Sequence, residues 1–256
     1  MNIFNSAAYK LNKYPKGEVT VIIAAGGSGN RMGGVSKPLI ELCGKRVIDY
    51  SIEAFSACQA VGRIFISAKG DDLPIYNEIV KTGKYPKLKG VVKGGDTRSE
   101  SVSNAFIHAM KDGQTDFVAI HDGARPLITT AEIDAAIKTA AKYGSGVCAV
   151  RVRDTVKRAS KGLRVTASVE RDGLFLISTP QVFSTDIYHT ALSVARKKAQ
   201  DEGKNVIDFT DDSSLVSEAG FEIMLSEASS QNIKITYPED IAIANAILQS
   251  RTPDKI

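Results

Sequence analysis

A glycine-rich segment near the start of the chain has the residue types needed to bind a phosphate. Residues 24–34 read AAGGSGNRMGG and directly follow an apolar run, VTVIIAA, at residues 19–25. Glycines let the backbone turn sharply and approach a ligand closely, and their exposed N–H groups can contact phosphate oxygens. Arg31 and Lys37 could offset the charge of a triphosphate, although the alternative is a flexible turn carrying two solvated cations. The segment has no Gly-Lys-Ser/Thr ending, so it is not a P-loop, and it fits the dinucleotide fingerprint poorly.

A second glycine pair lies in GGDTRSES, at residues 94–101, between a predicted strand and a predicted helix. Glycines there permit close approach of a base or a phosphate, and Asp96 and Ser101 could hydrogen-bond to a base edge or a ribose. The same residues also fit a helix N-terminus, with Thr97 or Asp96 as the cap and Glu100 in the first turn. The two roles are compatible with each other.

A third segment, HDGARP at residues 121–126, begins where the predicted strand at residues 116–121 ends. Ligands of open α/β sheets bind at the carboxyl ends of strands. A carboxylate from Asp122 would suit Mg²⁺, which usually takes one or two carboxylates together with phosphate oxygens. The alternative is an aspartate whose side chain is satisfied by the backbone of a turn.

The elements that must position these segments alternate between strand and helix from residue 19 to about residue 152. Short β-branched runs alternate with segments whose apolar residues recur at helical spacing, which is typical of βαβ units. We therefore expect a mostly parallel sheet with helices on both faces. The predicted strands cover residues 19–25, 63–68, 89–92, 116–121 and 145–152, and the helices cover residues 45–59, 74–83, 100–111 and 130–143, the last capped by Thr130.

The alternation stops at residues 153–180, where three polar, β-prone segments are separated by Lys-Gly and Asp-Gly turns. This pattern indicates an antiparallel arm that could leave the main body and pair with another subunit. Further on, the sequence predicts helices at residues 185–200 and 213–220, a strand pair at residues 223–225 and 233–236, and a last helix from residue 238.

Composition favours one large α/β domain, because 256 residues with 43% hydrophobic content can bury a substantial core. Residues 1–18 lack the apolar region of a secretory signal, so we expect an N-terminal extension before a domain at residues 19–256, in a cytoplasmic protein without membrane attachment. The three cysteines and three histidines show no metal-ligand spacing. The net charge of +4 suits an anionic small substrate, and no basic stripe points to nucleic acid.

Seven ordered segments of the chain resemble the 2-C-methyl-D-erythritol 4-phosphate cytidylyltransferases of the non-mevalonate isoprenoid pathway. Several of the later polar residues carry little signal individually and gain meaning only from this order. The resemblance runs from residue 20 to about residue 246 and rests on AAGGSGNRMGG, GGDTRSESV, HDGARP, VRDTVKRA, RDGLFLISTPQVF, TDDSSLV and NIKITYPEDIAIA.

The resemblance implies a single Rossmann-like nucleotidyltransferase domain that works as a homodimer through its β-arm. The implied reaction joins CTP to 2-C-methyl-D-erythritol 4-phosphate with release of pyrophosphate, using Mg²⁺ or another divalent cation. The implied site residues are Arg31, Lys37 and Lys234 as catalytic cations; Ala24, Ala25, Gly26, Gly29, Gly95, Asp96 and Ser101 at CTP; Arg125, Thr155, Arg171, Thr179 and Thr210 at the polyol phosphate; and Asp122 at the metal.

The chain departs from the family pattern mainly in the glycine loop. One extra residue lies between Gly26 and Gly29, and the stretch from Arg31 to Lys37 is one residue shorter than usual. The single substitutions are Ser36 for a common Pro, Pro38 for Gln, Gly123 for the first Ala of HDAARP, and Gln231 where a second metal-associated carboxylate can stand.

Two rival functions remain open on the sequence. A ribitol- or other pentitol-phosphate cytidylyltransferase would resemble this chain in fold, cytidine site and TPQ segment. A catalytically silent nucleotide-binding protein would keep the fold, although the retained Arg31, Lys37 and Asp122 argue against it. A nucleic-acid-binding module is a third possibility without support from a basic surface.

Overall fold

The computed structural model describes residues 18–27, 36–203 and 208–251. Its strands are β1 Val19–Ala24, β2 Glu41–Leu42, β3 Lys45–Arg46, β4 Val61–Ala68, β5 Leu88–Lys93, β6 Phe117–Asp122, β7 Ser145–Arg151, β8 Val156–Ala159, β9 Val165–Val169, β10 Phe175–Ser184 and β11 Leu225–Glu227. Its α-helices are α1 Val47–Ala57, α2 Leu73–Lys81, α3 Arg98–Asp112, α4 Thr130–Tyr143, α5 Thr185–Asp201, α6 Asp212–Glu218 and α7 Glu239–Arg251. None of the described helices is long and apolar enough to cross a membrane.

A seven-stranded sheet in the order β11-β7-β10-β6-β1-β4-β5 forms the centre of the described molecule. β1 pairs in parallel with both β4 and β6, and β4 pairs in parallel with β5. β10 is antiparallel to both of its neighbours, β6 and β7. The expected mostly parallel α/β sheet is therefore confirmed, and the four parallel strands on one side of β10 bring their carboxyl ends to one edge.

The strand β1 shows why this sheet is covered by helices on both faces. Successive strand side chains point to opposite faces, so an apolar strand with no polar alternation must be buried twice. Val21 and Ile23 pack in one core cluster with residues of α1, α2 and α4. Ile22 packs in a second cluster with residues of α3, α5 and α6. Burying each such side chain contributes roughly 1.5–3 kcal/mol, which fixes the strand at the centre of the sheet.

The N-cap of helix α4 lies one residue earlier than the sequence suggested. Thr129, rather than Thr130, is the N-cap, and it forms a reciprocal capping box with Glu132. Thr130 is instead the first helical residue, where its hydroxyl donates to the carbonyl of Ala54. A cap of this kind contributes about 1 kcal/mol to helix stability.

The predicted antiparallel arm is present, but it uses two strands rather than three. β8 and β9 pair with each other and are largely exposed. The third segment became the start of the ten-residue strand β10, whose early residues pair with β7 and whose later residues lie between β6 and β7. The predicted strand pair at residues 223–225 and 233–236 is not formed, because β11 at Leu225–Glu227 pairs with β7 instead. Residues 233–236 form no strand; Ile235 N–H donates to the carbonyl of Ala124, and Ile233 N–H donates to the carbonyl of Gln231.

Candidate active site

The ends of β1 and β6 meet beside each other, where two of the predicted segments begin. Ala24 and Asp122 are directly paired in the ladder, and Gly123 donates its N–H to the carbonyl of Ala24 at 2.9 Å. A Cβ atom on Gly123 would lie 3.1 Å from that carbonyl oxygen and 3.4 Å from Pro38 Cγ. Glycine at this position therefore allows the segment after Lys37 to approach the strand ends closely.

Asp122 lies within reach of three cationic side chains from different parts of the chain. Lys234 Nζ is 2.9 Å from Asp122 Oδ2, and Arg125 Nε donates to the same oxygen at 3.4 Å. Arg98 Nε donates to the other oxygen, Oδ1, at 3.3 Å. The structure thus concentrates positive charge at the carboxyl edge of the sheet, where an anionic ligand would be stabilised.

Burial and charge act in opposite directions on Asp122. Burial alone would raise the pKa of this carboxyl, but Lys234, Arg98 and Arg125 together hold its pKa well below the usual range. Asp122 therefore stays ionised at every physiological pH. It can serve as a permanent negative charge that orients the cations or coordinates a bound metal ion.

A buried, neutral histidine supports this carboxylate from behind. Thr179 Oγ1 accepts the backbone N–H of Asp122 at 3.0 Å and lies 3.1 Å from His121 Nδ1. His121 Nε2 lies 3.1 Å from the carbonyl oxygen of Arg125, so Nε2 carries the proton and Nδ1 accepts the Thr179 hydroxyl. This relay fixes the backbone of both Asp122 and Arg125.

We expect His121 to make the ligand-free protein less stable as the pH falls from about 6.5 towards 4. Burial lowers the pKa of His121 from 6.5 to about 4; Asp122 and the Arg125 carbonyl oppose this, whereas the Arg125 and Lys234 charges reinforce it. Unfolded histidine takes up a proton near pH 6.5, so the unfolded state binds more protons in this window and gains about 3 kcal/mol relative to the folded state.

Urea unfolding between pH 7 and pH 4 checks this expectation on the wild type and on His121→Gln, which cannot titrate there. The variant loses hydrogen bonds and is less stable at pH 7, but the gap between the two proteins should narrow as the pH falls. A gap that stays constant across the window would contradict the assigned neutral state.

The second glycine pair lies directly against the start of α3. Gly95 N–H donates to Ser101 Oγ at 3.1 Å, and Ser101 Oγ donates to the carbonyl of Thr97 at 2.8 Å. A Cβ on Gly94 would lie 2.6 Å from Ser101 Oγ, and one on Gly95 would lie 2.5 Å from Glu100 Cβ, so only glycine fits at either position. Thr97 caps the helix, accepting from Glu100 N–H. Of the two candidate caps, Thr97 is therefore the one used, and Asp96 stays exposed.

Of the first glycine segment, the structure describes residues 24–27, and the described chain resumes at Ser36. Gly26 lies next to Ser101, whose Oγ would be 3.6 Å from a Cβ at that position. Ser36 Oγ donates to Asp72 Oδ2 at 2.8 Å, directly before the short 3-10 helix Lys37–Leu39. The two glycine segments therefore meet at Ser101. Lys37 directly follows Ser36, which its hydrogen bond to Asp72 holds in place. Gly29 and Arg31 lie outside the described residues.

The predicted site residues fall into three groups. Arg125 and Lys234 both contact Asp122 directly. Thr155 and Arg171 lie on the exposed arm, where Arg171 Nη1 donates to the carbonyl of Arg153 at 2.5 Å. Among the others, Ala24 and Ala25 lie at the end of β1, Thr179 is buried within β10 and binds the backbone of Asp122, and Thr210 is exposed before α6.

Sequence reasoning did not single out Arg98, Asp212 or Asn232. Arg98 links Asp122 to Asp212, and the carbonyl of Asn232 accepts from Arg125 Nη1 at 2.8 Å. One signal was available: an arginine at the first position of a helix opposes the helix dipole, which indicates a partner of negative charge elsewhere.

Comparison with known proteins finds one family that matches most of the chain. Residues 19–250 match the family model described as 2-C-methyl-D-erythritol 4-phosphate cytidylyltransferase. A curated protein of that name from Pelotomaculum thermopropionicum is 35% identical over 236 residues, covering 91% of this chain and 95% of the relative. Another of that name, from Bacillus cereus, is 37% identical over 232 residues, covering 90% of this chain and 97% of the relative.

Solved structures agree with this family in fold. The 4-diphosphocytidyl-2C-methyl-D-erythritol synthase of Anaerococcus prevotii superposes with a TM-score of 0.74 at 27% identity, covering 90% of this chain and 96% of that one. The 2-C-methyl-D-erythritol 4-phosphate cytidylyltransferase of Francisella tularensis superposes with a TM-score of 0.72 at 26% identity, covering 90% and 99%.

Proposed function

The chain belongs to the 2-C-methyl-D-erythritol 4-phosphate cytidylyltransferase family, and on that premise we propose that the cations around Asp122 are the centre of its reaction. The enzyme transfers a cytidylyl group from CTP to 2-C-methyl-D-erythritol 4-phosphate, giving 4-diphosphocytidyl-2-C-methyl-D-erythritol and pyrophosphate. The observation that carries the assignment of the site is the convergence of Arg98, Arg125 and Lys234 on one carboxylate at the carboxyl edge of the sheet.

The chemistry of this transfer needs little more than positioning and charge. The substrate phosphate attacks the α-phosphorus of CTP in line with the departing pyrophosphate, so two anions must be held close together. Fixed cations stabilise the charge that spreads over the phosphoryl oxygens in the transition state. Lys234 lies at this edge and would reach a phosphate by leaving Asp122, since its side chain is 40% exposed.

The proposed CTP site is formed by the two glycine segments. The described backbone of Ala24, Ala25 and Gly26 lies beside the second segment through Ser101. Asp96 is exposed and able to accept hydrogen bonds from a cytosine or a ribose. The remaining proposed members of the CTP and triphosphate site are Gly29, Arg31, Lys37, Gly95 and Ser101.

The proposed polyol-phosphate pocket combines main-body residues with the arm of a second subunit. Arg125, Thr179 and Thr210 belong to the main body, whereas Thr155 and Arg171 lie on the exposed arm. The arm also exposes large apolar side chains, with Leu163 at 88% and Leu176 at 63% exposure, which favours contact with another protein surface. We propose that this surface is a second copy of the chain, so that the enzyme is a homodimer.

A divalent cation fits the proposed site through one protein ligand. Asp122 supplies a single permanently ionised carboxylate, and among the described residues there is no group of three or more acidic, histidine or cysteine side chains that could hold a metal. Mg²⁺ commonly takes one or two carboxylates with the rest of its ligands from phosphates and water. Such an ion would neutralise charge on the CTP phosphates, and Asp122 would orient it.

Two broader features stay proposals. We propose one domain at residues 19–256 with its arm at residues 153–180, preceded by an extension at residues 1–18; the family match over residues 19–250 supports the main boundary. We also propose a cytoplasmic location. Cys43, Cys58 and Cys148 form no disulfide in the described chain, which suits a reducing compartment.

Arg171→Ala tests the polyol-phosphate pocket and the role of the arm together. We expect the KM for 2-C-methyl-D-erythritol 4-phosphate to rise about 10-fold or more while the KM for CTP changes little, because a charge-assisted bond to the substrate phosphate is lost. Steady-state kinetics with each substrate varied in turn measures both constants.

The matched control is Arg158→Ala, another exposed arginine of the same arm, which should leave both constants near the wild-type values. Mixed dimers of Arg171→Ala with Lys37→Ala should regain activity, because one of their two sites would then be intact. Equal rises in both constants for Arg171→Ala, or mixed dimers without activity, would contradict the proposed pocket.

A further inference from the structure

Arg98 joins three parts of the molecule that carry the proposed site. It is the first residue of α3, directly after the glycine segment at residues 94–97. Its Nε donates to Asp122 Oδ1 at the end of β6, and its Nη1 donates to Asp212 Oδ2 at 2.7 Å at the start of α6. Asp212 is in turn fixed by Tyr188, whose hydroxyl donates to Oδ1 at 2.8 Å.

The three cations around Asp122 are not equivalent. Arg98 and Arg125 each have a second acceptor, the Asp212 carboxylate and the Asn232 carbonyl, and their side chains are only 26% and 14% exposed. The Lys234 side chain is 40% exposed and lies on Oδ2. Arg98 alone among these cations lies on Oδ1. It therefore fixes one oxygen of Asp122, and Oδ2 is shared by the buried Arg125 and by Lys234, the most exposed of the three cations.

A purely stabilising role explains this arrangement poorly. Burying ions carries a large desolvation cost, and well-packed apolar side chains usually give equal or greater stability. Arg98 also stands at the first position of a helix, where a cation is disfavoured by the helix dipole. Burial by itself would lower the pKa of Arg98, yet Asp212 and Asp122 raise it above its usual value, so the guanidinium stays charged.

We infer that Arg98 is a positioning residue: it orients the Asp122 carboxylate and holds the proposed CTP site and the proposed polyol-phosphate pocket in a fixed relative position. This inference rests on the proposed place of Asp122 in the reaction. Arg98 adjoins the proposed CTP site through the glycine segment directly before α3. It is joined to the proposed polyol-phosphate pocket through Asp212, which starts α6 two residues after Thr210. The planar fork of arginine can hold two carboxylates at fixed angles, which the single ammonium of lysine cannot do.

Arg98→Lys tests the inference, with Arg63→Lys as its matched control. Arg63 is 11% exposed, also binds an aspartate, Asp112, and lies at the other end of α3, away from the site. We expect Arg98→Lys to lower kcat about 10²-fold, since a small misplacement of a catalytic group costs that much, while the KM values for CTP and for the polyol phosphate change less than about threefold. Arg63→Lys should lower the melting temperature and keep kcat within about twofold.

Asp212→Asn provides a second, nearly isosteric variant in case Arg98→Lys folds poorly. It should lower kcat in the same direction but less, and the double variant should lose less than the product of the single losses, because both act through one linkage. Calorimetric binding of CTP, measured without the second substrate, should stay within about threefold of wild type in each variant.

Two results would overturn the positioning role: a kcat for Arg98→Lys within threefold of wild type, or a loss no larger than that of Arg63→Lys. The outcome for Asp122→Asn separates this inference from the proposed site. If Asp122→Asn loses turnover and Arg98→Lys does not, only the role of Arg98 falls. If Asp122→Asn keeps turnover, the proposed site itself falls, and the positioning role falls with it.

Discussion

Lys37→Ala should lower kcat about 10²- to 10³-fold while the protein stays folded. Removing one fixed donor of transition-state stabilisation typically has an effect of this size. Lys37 is half-buried and begins the short helix Lys37–Leu39, whose Pro38 is buried near Gly123 between the two strand ends. The hydrogen-bonded Ser36 and the buried Pro38 therefore hold the backbone on both sides of the lysine. The measurement is pyrophosphate release at saturating CTP and polyol phosphate, together with the melting temperature.

Lys45→Ala is the matched control for Lys37→Ala. Lys45 is a partly exposed lysine that pairs with Glu53 at 2.7 Å, away from the Asp122 cluster. Loss of a surface ion pair changes stability by about 1 kcal/mol or less, and turnover should be unaffected. A kcat for Lys37→Ala within threefold of wild type would refute the role proposed for this lysine.

Asp122→Asn should lower both turnover and stability. Arg98, Arg125 and Lys234 would lose their shared counterion, and removing one partner from a buried ionic network commonly costs about 3–5 kcal/mol. The second acceptors of Arg98 and Arg125 should keep the loss near the lower end of that range. Turnover should fall at least about 10²-fold, because the cations lose their orientation and a metal ion loses its protein ligand. Urea unfolding and pyrophosphate release measure the two effects.

Asp49→Asn separates the two effects of the Asp122 substitution. Asp49 lies in the first turn of α1, is 4% exposed, and accepts two hydrogen bonds from Arg46, the N-cap residue of that helix. It should lose stability and keep its turnover at temperatures well below unfolding. If Asp122→Asn behaved in the same way, stable enough to assay and fully active, the carboxylate would have no part in the reaction.

Local sequence signals predicted the parallel half of the fold because each of its elements is set by nearby residues. The run at β1 is apolar on both faces, and the spacing of apolar residues predicted α4 at the observed residues 130–143. The strand β10 was assigned to the arm because its first residues resemble an exposed hairpin. Its place between β6 and β7 depends on pairing with residues far away in the sequence.

The candidate site likewise divides into residues with a local sequence signal and residues whose partners lie far away in the sequence. Asp122 and the glycines of residues 94–95 were predictable, since strand ends and close backbone approach leave a local trace. Arg98 was not singled out because its partners, Asp122 and Asp212, lie 24 and 114 residues away, and only the folded chain brings them together. The buried relay through His121 and Thr179 spans 58 residues and was missed for the same reason.

The most direct test of the central claim is the rate of pyrophosphate release from CTP with two competing substrates. Purified protein with Mg²⁺ should turn over 2-C-methyl-D-erythritol 4-phosphate with a kcat/KM at least about 10-fold above that for ribitol 5-phosphate, since contacts to the branched carbon and its hydroxyl discriminate by that much or more. A preference for ribitol 5-phosphate would contradict the assigned substrate. CTP binding without pyrophosphate release from either substrate would contradict the assigned activity.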